Sequence, residues 1–283
     1  MKKTVLLAAI LLSFGASANE NSLGTNFIYD SKHSYSVGRH NSTYGGTQIQ
    51  SNGFDNNIFD SNESIVQGKR NELHESTNVH ISGLKNSVVD SDNSFLFGTG
   101  NELFGESTDN TIIGRYNHSR TYSRRNVVIG TNNNNDYSSD NYVLGEQNNF
   151  EDASLNYTIG SGNYLSYESD NNILMSKDSW INRGRENIIV GNGPGLEDST
   201  RNTVLANGSS ITNSHNSLII GNSSDVYNAN DGVYIVAGQY YGDENQYDRD
   251  VVTISGENIR ICQGSECIDN VFELLKSLQS QAN

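Results

Sequence analysis

The chain has 283 residues, 33 acidic against 18 basic side chains, a net charge of −15 and an apolar content of 34%. So polar a composition excludes a large conventional globular core, and so negative a surface argues against nucleic acid or anionic lipid as a partner. Its single proline, Pro194, leaves short β-strands open throughout, because proline removes a donor that a strand ladder needs.

At the N-terminus, Lys2 and Lys3 precede an apolar stretch over residues 4–14, and Ala16, Ser17 and Ala18 supply small residues for cleavage. This pattern predicts a secretory signal peptide over residues 1–18, cut before Asn19. Its apolar core is too short to span a bilayer, and no later segment approaches eighteen apolar residues. The mature chain is therefore expected to be exported, either secreted or held at a bacterial cell surface, soluble and without direct membrane insertion. Residues 19–33 read as an N-terminal lead-in.

Over residues 34–237 a glycine or small stand-in recurs at steps of fifteen or sixteen: Gly38, Gly53, Gly68, Gly83, Gly98, Gly114, Gly130, Gly145, Gly160, Ser176, Gly191, Ala206, Gly221 and Ala237. Most close a run of Asn followed by two or three aliphatic or β-branched residues, as in Asn126, Val127, Val128, Ile129 and Gly130. A fixed period of this size marks a stacked repeat architecture. The apolar runs have high strand propensity, and consecutive apolar residues predict burial on both faces. Another Asn follows three residues after the glycine in the earlier repeats, from Asn41 and Asn56 through Asn148 and Asn163. Gly and Asn adopt left-handed backbone most cheaply, so each repeat reads as a strand, a corner, a short polar strand and another corner. Asn residues in register allow amide ladders between coils, but the simpler reading makes them turn residues. About fourteen coils stacked about 4.8 Å apart predict a rod of about 65 Å.

The periodicity stops near Ala237, and residues 238–267 read as a neck. An irregular stretch rich in Tyr and Asp leads to two predicted strands, at 251–255 and 258–261. Cys262 and Cys267 follow, with four residues between them, and in an oxidising compartment they predict one small disulfide loop, with an interchain bridge as the alternative. Residues 268–283 read as a helix. Ile268, Val271, Leu275, Leu278 and Ala282 alternate spacings of three and four, a coiled-coil seam of about two heptads. So short a helix needs partner helices.

The repeat resembles the head of YadA-like trimeric autotransporter adhesins, whose head repeats carry Asn, Ser and aliphatic residues before a glycine over a similar period. Asn216, Ser217, Leu218, Ile219, Ile220 and Gly221 match most closely, and the likeness spans residues 34–237, loosely in the first four repeats. The resemblance implies a left-handed parallel β-roll, three copies packed through the apolar strand, and a neck leading into a coiled coil. Ile268, Val271, Leu275 and Leu278 would then set the threefold register. Members of that family end in a membrane-anchor segment, and no alternating ten-residue strands follow the terminal helix here. A head and neck released as a free particle, or attached to something else, is the expectation.

An enzyme on a monomeric β-solenoid is the rival class, and it needs carboxylates or an Arg cluster converging on a groove. Asp90, Asp92, Asp109, Asp140, Asp152 and Asp170 fall in the polar half of the repeat and read as a solvated face. The calcium-binding nonapeptide and a rank of threonines at one repeat position are both lacking, and His74 with His80 makes a weak metal candidate. Tyr116, Tyr122, Tyr137, Tyr164 and Tyr167 lie in polar segments, where aromatics serve as sugar or protein contacts, although covering neighbouring coils is the simpler role. The sequence thus predicts an all-β, non-catalytic homotrimer without cofactor or metal, which attaches multivalently to an extracellular protein or glycan ligand. A structural subunit or tip of a larger fibre is a third reading.

Overall fold

The computed structural model describes residues 21–222, 225–236, 239–241, 251–255, 258–263, 266–268 and 270–281; the expected signal peptide over 1–18 and its cut at Asn19 lie outside them. It is all-β, a parallel β-solenoid of about 14 turns with almost no helix. The chain divides into two compact units, residues 1–132 and 133–283.

In the first unit each coil pairs a five-residue strand with a three-residue strand, as in Thr111–Arg115 and His118–Arg120. Long strands stack on long and short on short, all parallel, so that Val66 pairs with Ile81 and Gly68 with Gly83. The stack begins upstream of residue 34. Asn21–Tyr29 pairs in parallel with Tyr35–Tyr44, setting Gly24 against Gly38, and a register shift between Thr25 and Phe27 absorbs the shorter step. The lead-in therefore supplies a coil of its own.

Strand alternation decides which apolar residues enter the core. In Val127–Thr131 only Val128 is fully buried, while Val127 and Ile129 lie half-buried on the outer face. The expectation that these runs are buried on both faces therefore fails within a single chain. What fills the coil is a mixed set: Ile81, Asn86, Val88, Ser91 and Ser94 are all buried in one turn. This narrow, half-polar interior reconciles a low apolar content with an ordered fold.

The asparagines are not merely turn residues. Asn41, Asn56, Asn71, Asn86, Asn101 and Asn117 are all buried. From Asn41 to Asn101 each Oδ1 accepts from the next coil: Asn86 Nδ2 donates to Asn71 Oδ1 at 3.1 Å and the Asn86 backbone N–H to the same oxygen at 3.0 Å. The same amide donates at 3.0 Å to the carbonyl of Gly98, one coil further on. Gly98 has φ of 130°, and a Cβ there would lie 1.9 Å from the Gly114 carbonyl oxygen. Backbone conformation and stacking thus both demand glycine.

In the second unit this column runs from Asn133 through Asn148 to Asn163, with amide-to-Oδ1 distances of 2.9 Å. A second column, just before the long strand, joins Asn141, Asn156, Asn172, Asn187 and Asn202 at 3.0–3.2 Å. Where Ser176 and Ala206 replace glycine, the strands Ile173–Lys177 and Thr203–Asn207 keep simple in–out alternation, and both side chains are buried. Three positions after this site Asn is replaced in the later coils, by Ser179, Pro194, Ser209 and Ser224, whether or not the glycine is kept. Ser176 Oγ donates to Asn163 Oδ1 at 2.8 Å and closes the first column.

Parallel pairing continues through Gly232–Val236 and Gln239–Tyr241. Val251–Ser255 then runs antiparallel to Gly232–Val236, and Asn258–Gln263 antiparallel to Val251–Ser255, so the two strands expected in the neck form a meander covering the last long strand. Tyr234 fills the inward position, its hydroxyl donating to the Asn230 carbonyl at 2.8 Å and accepting from the Asn230 N–H at 2.9 Å. Residue 237 of the expected head, and residues 238, 242–250, 256, 257, 264 and 265 of the expected neck, lie outside the described residues.

The terminal helix spans Val271–Gln281, so Ile268 is not part of it. Ile268 instead ends the strand Glu266–Ile268, opposite Ile261. Asn270, at φ of 53°, breaks the strand, and its carbonyl accepts the N–H groups of Glu273 and Leu274 at 3.0 and 3.2 Å, which starts the helix after it. Ala282 lies outside the described residues.

Asn86→Ala should lower stability by about 3 kcal/mol or more, since it leaves buried partners above and below unpaired. Faster hydrogen exchange in the coils of Asn71 and Asn101 is the readout. Ser51 occupies an inward position taken by Val66, Ile81 and Leu96 in later coils, and its buried hydroxyl has no hydrogen-bond partner among the described residues. Ser51→Val should therefore stabilise the first unit by about 1 kcal/mol in urea denaturation.

Candidate functional site

Three surfaces carry side chains that the core does not use. The first is the outer face of the long strands in the second unit. Tyr142 and Leu144, Tyr157 and Ile159, Ile173 and Met175, Ile188 and Val190, Thr203 and Leu205, and Leu218 and Ile220 sit at the two outward positions of successive coils, apolar except at Thr203. Met175 is 50% exposed and Leu205 42%. Tyr142 and Tyr157 stack with ring centroids 4.9 Å apart. In the first unit the same positions are polar in the early coils, at Gln50 and Asn52 or His80 and Ser82, and apolar later, at Phe95 and Phe97.

A second surface lies on the short strands of the first unit. Tyr29, Tyr44, Phe59 and His74 form an aromatic file, with centroids 5.2, 6.3 and 4.7 Å apart. Most of these rings face one another along the stack, so their faces are occupied and their edges exposed. His80 packs edge-on against Phe95. The metal candidates His74 and His80 are thus both held by rings. Further along, Arg120 Nη2 donates to Glu102 Oε2 at 2.8 Å and lies 3.1 Å from His118 Nδ1, and its guanidinium sits over Phe104. Burial lowers the His118 pKa below its ordinary value, opposed by Glu102 and aided by Arg120.

The third surface is a pocket in the second unit of about 460 Å³, lined by Asp152, Tyr167, Glu168, Arg183, Arg185 and Thr200. Its origin is local. The step from Gly160 to Ser176 has one extra residue, and the surplus falls in the corner after Tyr164–Ser166, where Tyr167 and Glu168 both take left-handed φ of 52° and 60°. Regular coils place one such residue there, as at Asp152 or Arg183. The doubled corner leaves Tyr167 61% exposed. Arg183 grips Asp198 through two bonds of 2.6 and 2.9 Å, and Arg185 bonds both the carboxylate and the carbonyl of Glu168. Fixed guanidinium forks of this kind hold donors and acceptors side by side.

The five tyrosines do not form one site. Tyr116 lies in a left-handed corner with its ring over Gly100, where a Cβ would come within 2.7 Å of it; this is the coil-covering role. Tyr122 and Tyr137 occupy corners after short strands in separate units. Tyr164 points outward from its strand and donates to Glu151 Oε2 at 2.9 Å, and burial followed by this carboxylate raises its pKa. Tyr167 lines the pocket. Sequence reading missed Arg183 and Arg185, although their place one coil beyond a sixteen-residue step was the available signal. Register sets Cys262 directly opposite Cys267 in the antiparallel pair of Asn258–Gln263 and Glu266–Ile268. On the helix, Leu275 and Leu278 of the expected seam are exposed together with Leu274, and Val271 is half-buried.

His118 should stay neutral until the pH falls below its ordinary value of 6.5. The unfolded chain then takes up a proton before the folded one, so stability is full above that pH and falls as the pH drops toward the lowered folded pKa. His118→Gln should flatten this part of a stability–pH profile measured by chemical denaturation.

No family model matches the chain, and no curated protein matches it. Among solved structures, one described as an acetyltransferase of Desulfovibrio desulfuricans aligns over 90% of this chain and 82% of that one, at 8% identity and a TM-score of 0.22. A likeness at that score carries no argument about activity.

Proposed function

We propose that this chain is an exported, non-catalytic, homotrimeric particle with adhesin-like function, similar in plan to the head and neck of YadA-like adhesins. The observation that carries the reading is the apolar outer face of the long strands in the second unit. A row of Leu, Ile, Val, Met and Tyr, interrupted by Thr203, has no partner within the coil among the described residues, and such a face is ordinarily covered by another surface. Three copies packed through it would bury a periodic surface in register, each coil meeting its equivalent. The exposed Leu274, Leu275 and Leu278 extend the same need to the helix, which is too short to stand alone. A bridge between the facing Cys262 and Cys267 would stiffen the strands joining head to helix. Binding through three identical faces raises weak contacts to useful avidity with a cell-surface or matrix ligand.

The second reading, an enzyme acting on polysaccharide, draws on the pocket with its two arginines and neighbouring carboxylates. It is the weaker one, because Glu168 and Asp198 are committed to guanidinium groups and Asp152 is exposed, whereas a catalytic acid gains its function from burial.

Light scattering on residues 19–283 should give a mass near three chains. Substituting Met175→Asp and Leu205→Asp together should give monomers with unchanged circular dichroism, since both side chains project outward. A wild-type monomer would overturn the trimeric reading and move the enzymatic one forward.

A further inference from the structure

We infer that the corner pocket at Tyr167, Arg183 and Arg185 is a saccharide-binding site, and that it takes a neutral sugar. The inference rests on the binding function proposed above and names the ligand class of one site within it.

Three features point to a sugar. The Tyr167 ring is held out by the doubled left-handed corner, and no ring stacks on it among the described residues, in contrast to the self-stacked file at Tyr29, Tyr44 and Phe59. An exposed ring face fits the C–H face of a pyranose. Beside it, Arg183 uses Nε and Nη2 on Asp198 and Glu197, and Arg185 uses Nε and Nη2 on Glu168. Each guanidinium therefore keeps an Nη1 group free to donate, while its orientation is already fixed by the carboxylates. The Asp152 carboxylate, at the other side of the pocket, makes no hydrogen bond among the described residues and is free to accept. Paired donors with an acceptor opposite match adjacent sugar hydroxyls, and 460 Å³ falls in the range of small-molecule sites.

The same geometry disfavours other ligands. Two guanidinium groups face four carboxylates, those of Asp152, Glu168, Glu197 and Asp198, so an acidic sugar or a phosphate would meet net repulsion. An extended peptide would need a free backbone edge, but the N–H groups of Glu168, Arg183, Arg185 and Thr200 already donate to Asp152, Ser166, Ser199 and Ser214.

The test is binding of the full mature chain to an immobilised panel of neutral, sialylated and sulfated glycans, followed by titration of the strongest neutral one. Tyr167→Ala should weaken that binding by about tenfold or more, while Tyr167→Phe keeps it within about threefold. Asp152→Asn should weaken it, and Tyr116→Ala, whose ring covers Gly100 in the first unit, should leave it unchanged. Circular dichroism and mass checks each variant for folding and assembly. A preference for sialylated or sulfated glycans, or neutral binding indifferent to Tyr167→Ala, overturns the site. Attachment of the wild-type protein to cells or matrix protein with no glycan bound overturns the site but leaves the adhesin-like reading standing. Failure to bind glycan, cells and matrix protein alike defeats both.

Discussion

The interaction on which this fold depends is the buried amide of asparagine shared between successive coils. A solenoid stacks strands through backbone bonds, but its corners leave N–H and C=O groups turned inward where no strand partner exists. In the first unit one Asn per coil meets that need in three directions: its oxygen receives the next coil's Asn, and its amide reaches the previous Asn and the carbonyl of the glycine ahead. The glycine belongs to the same device, since only a residue without Cβ lets that carbonyl and the next coil approach so closely. A chain of such bonds in a dry, narrow interior is stronger than its members taken separately, and an incomplete one is costly. This is why Asn and Gly keep their spacing while neighbouring positions vary freely.

Two columns share this task. In the second unit the one after the glycine ends at Asn163, and the one before the long strand holds through Asn202. Where the first column ends, Ser176 stands in for glycine and the strand returns to ordinary alternation; the Ser176 carbonyl still accepts the Asn163 amide at 3.0 Å, and its hydroxyl donates to Asn163 Oδ1. Function follows from the freedom this leaves outside. With the interior satisfied by Asn, Ser and a few aliphatic residues, outward positions carry apolar rows in some coils and polar ones in others. The extra residue of a sixteen-residue step is displaced to a corner, where it builds the Tyr167 pocket without disturbing the ladder.

The solenoid was legible because its signal is repeated many times: any one Asn–aliphatic–Gly run is weak, and a dozen in phase are not. Corner chemistry was less legible: the column asparagines are not the left-handed residues, and the corner just before them is held by His40, Asp55, Arg70, Lys85, Tyr116 and Gln147, most of them residue types that carry no turn signal. Burial of the asparagines was harder to read, because the same residue serves equally well in a solvated turn, and only the stacking of coils distinguishes the two. The helix start illustrates a local competition: Ile268 satisfies the heptad spacing, but the antiparallel strand claims it first and Asn270 resets the backbone. The pocket depends on side chains fifteen residues apart converging across coils, and spacing alone did not single out Arg183 and Arg185.

The uneven coils have a consequence for how the molecule finds its own register. A repeat of identical turns can slip by a whole turn with little penalty, since every contact is replaced by an equivalent one. Here Gly98 to Gly114, Gly114 to Gly130 and Gly160 to Ser176 each span sixteen residues where most steps span fifteen, and Ser176 and Ala206 stand where other coils carry glycine. A slipped chain would set a Cβ against a carbonyl or strand an amide without its acceptor. The irregularities thus act as an address for each coil, so that a stack of near-identical parts still closes in one way.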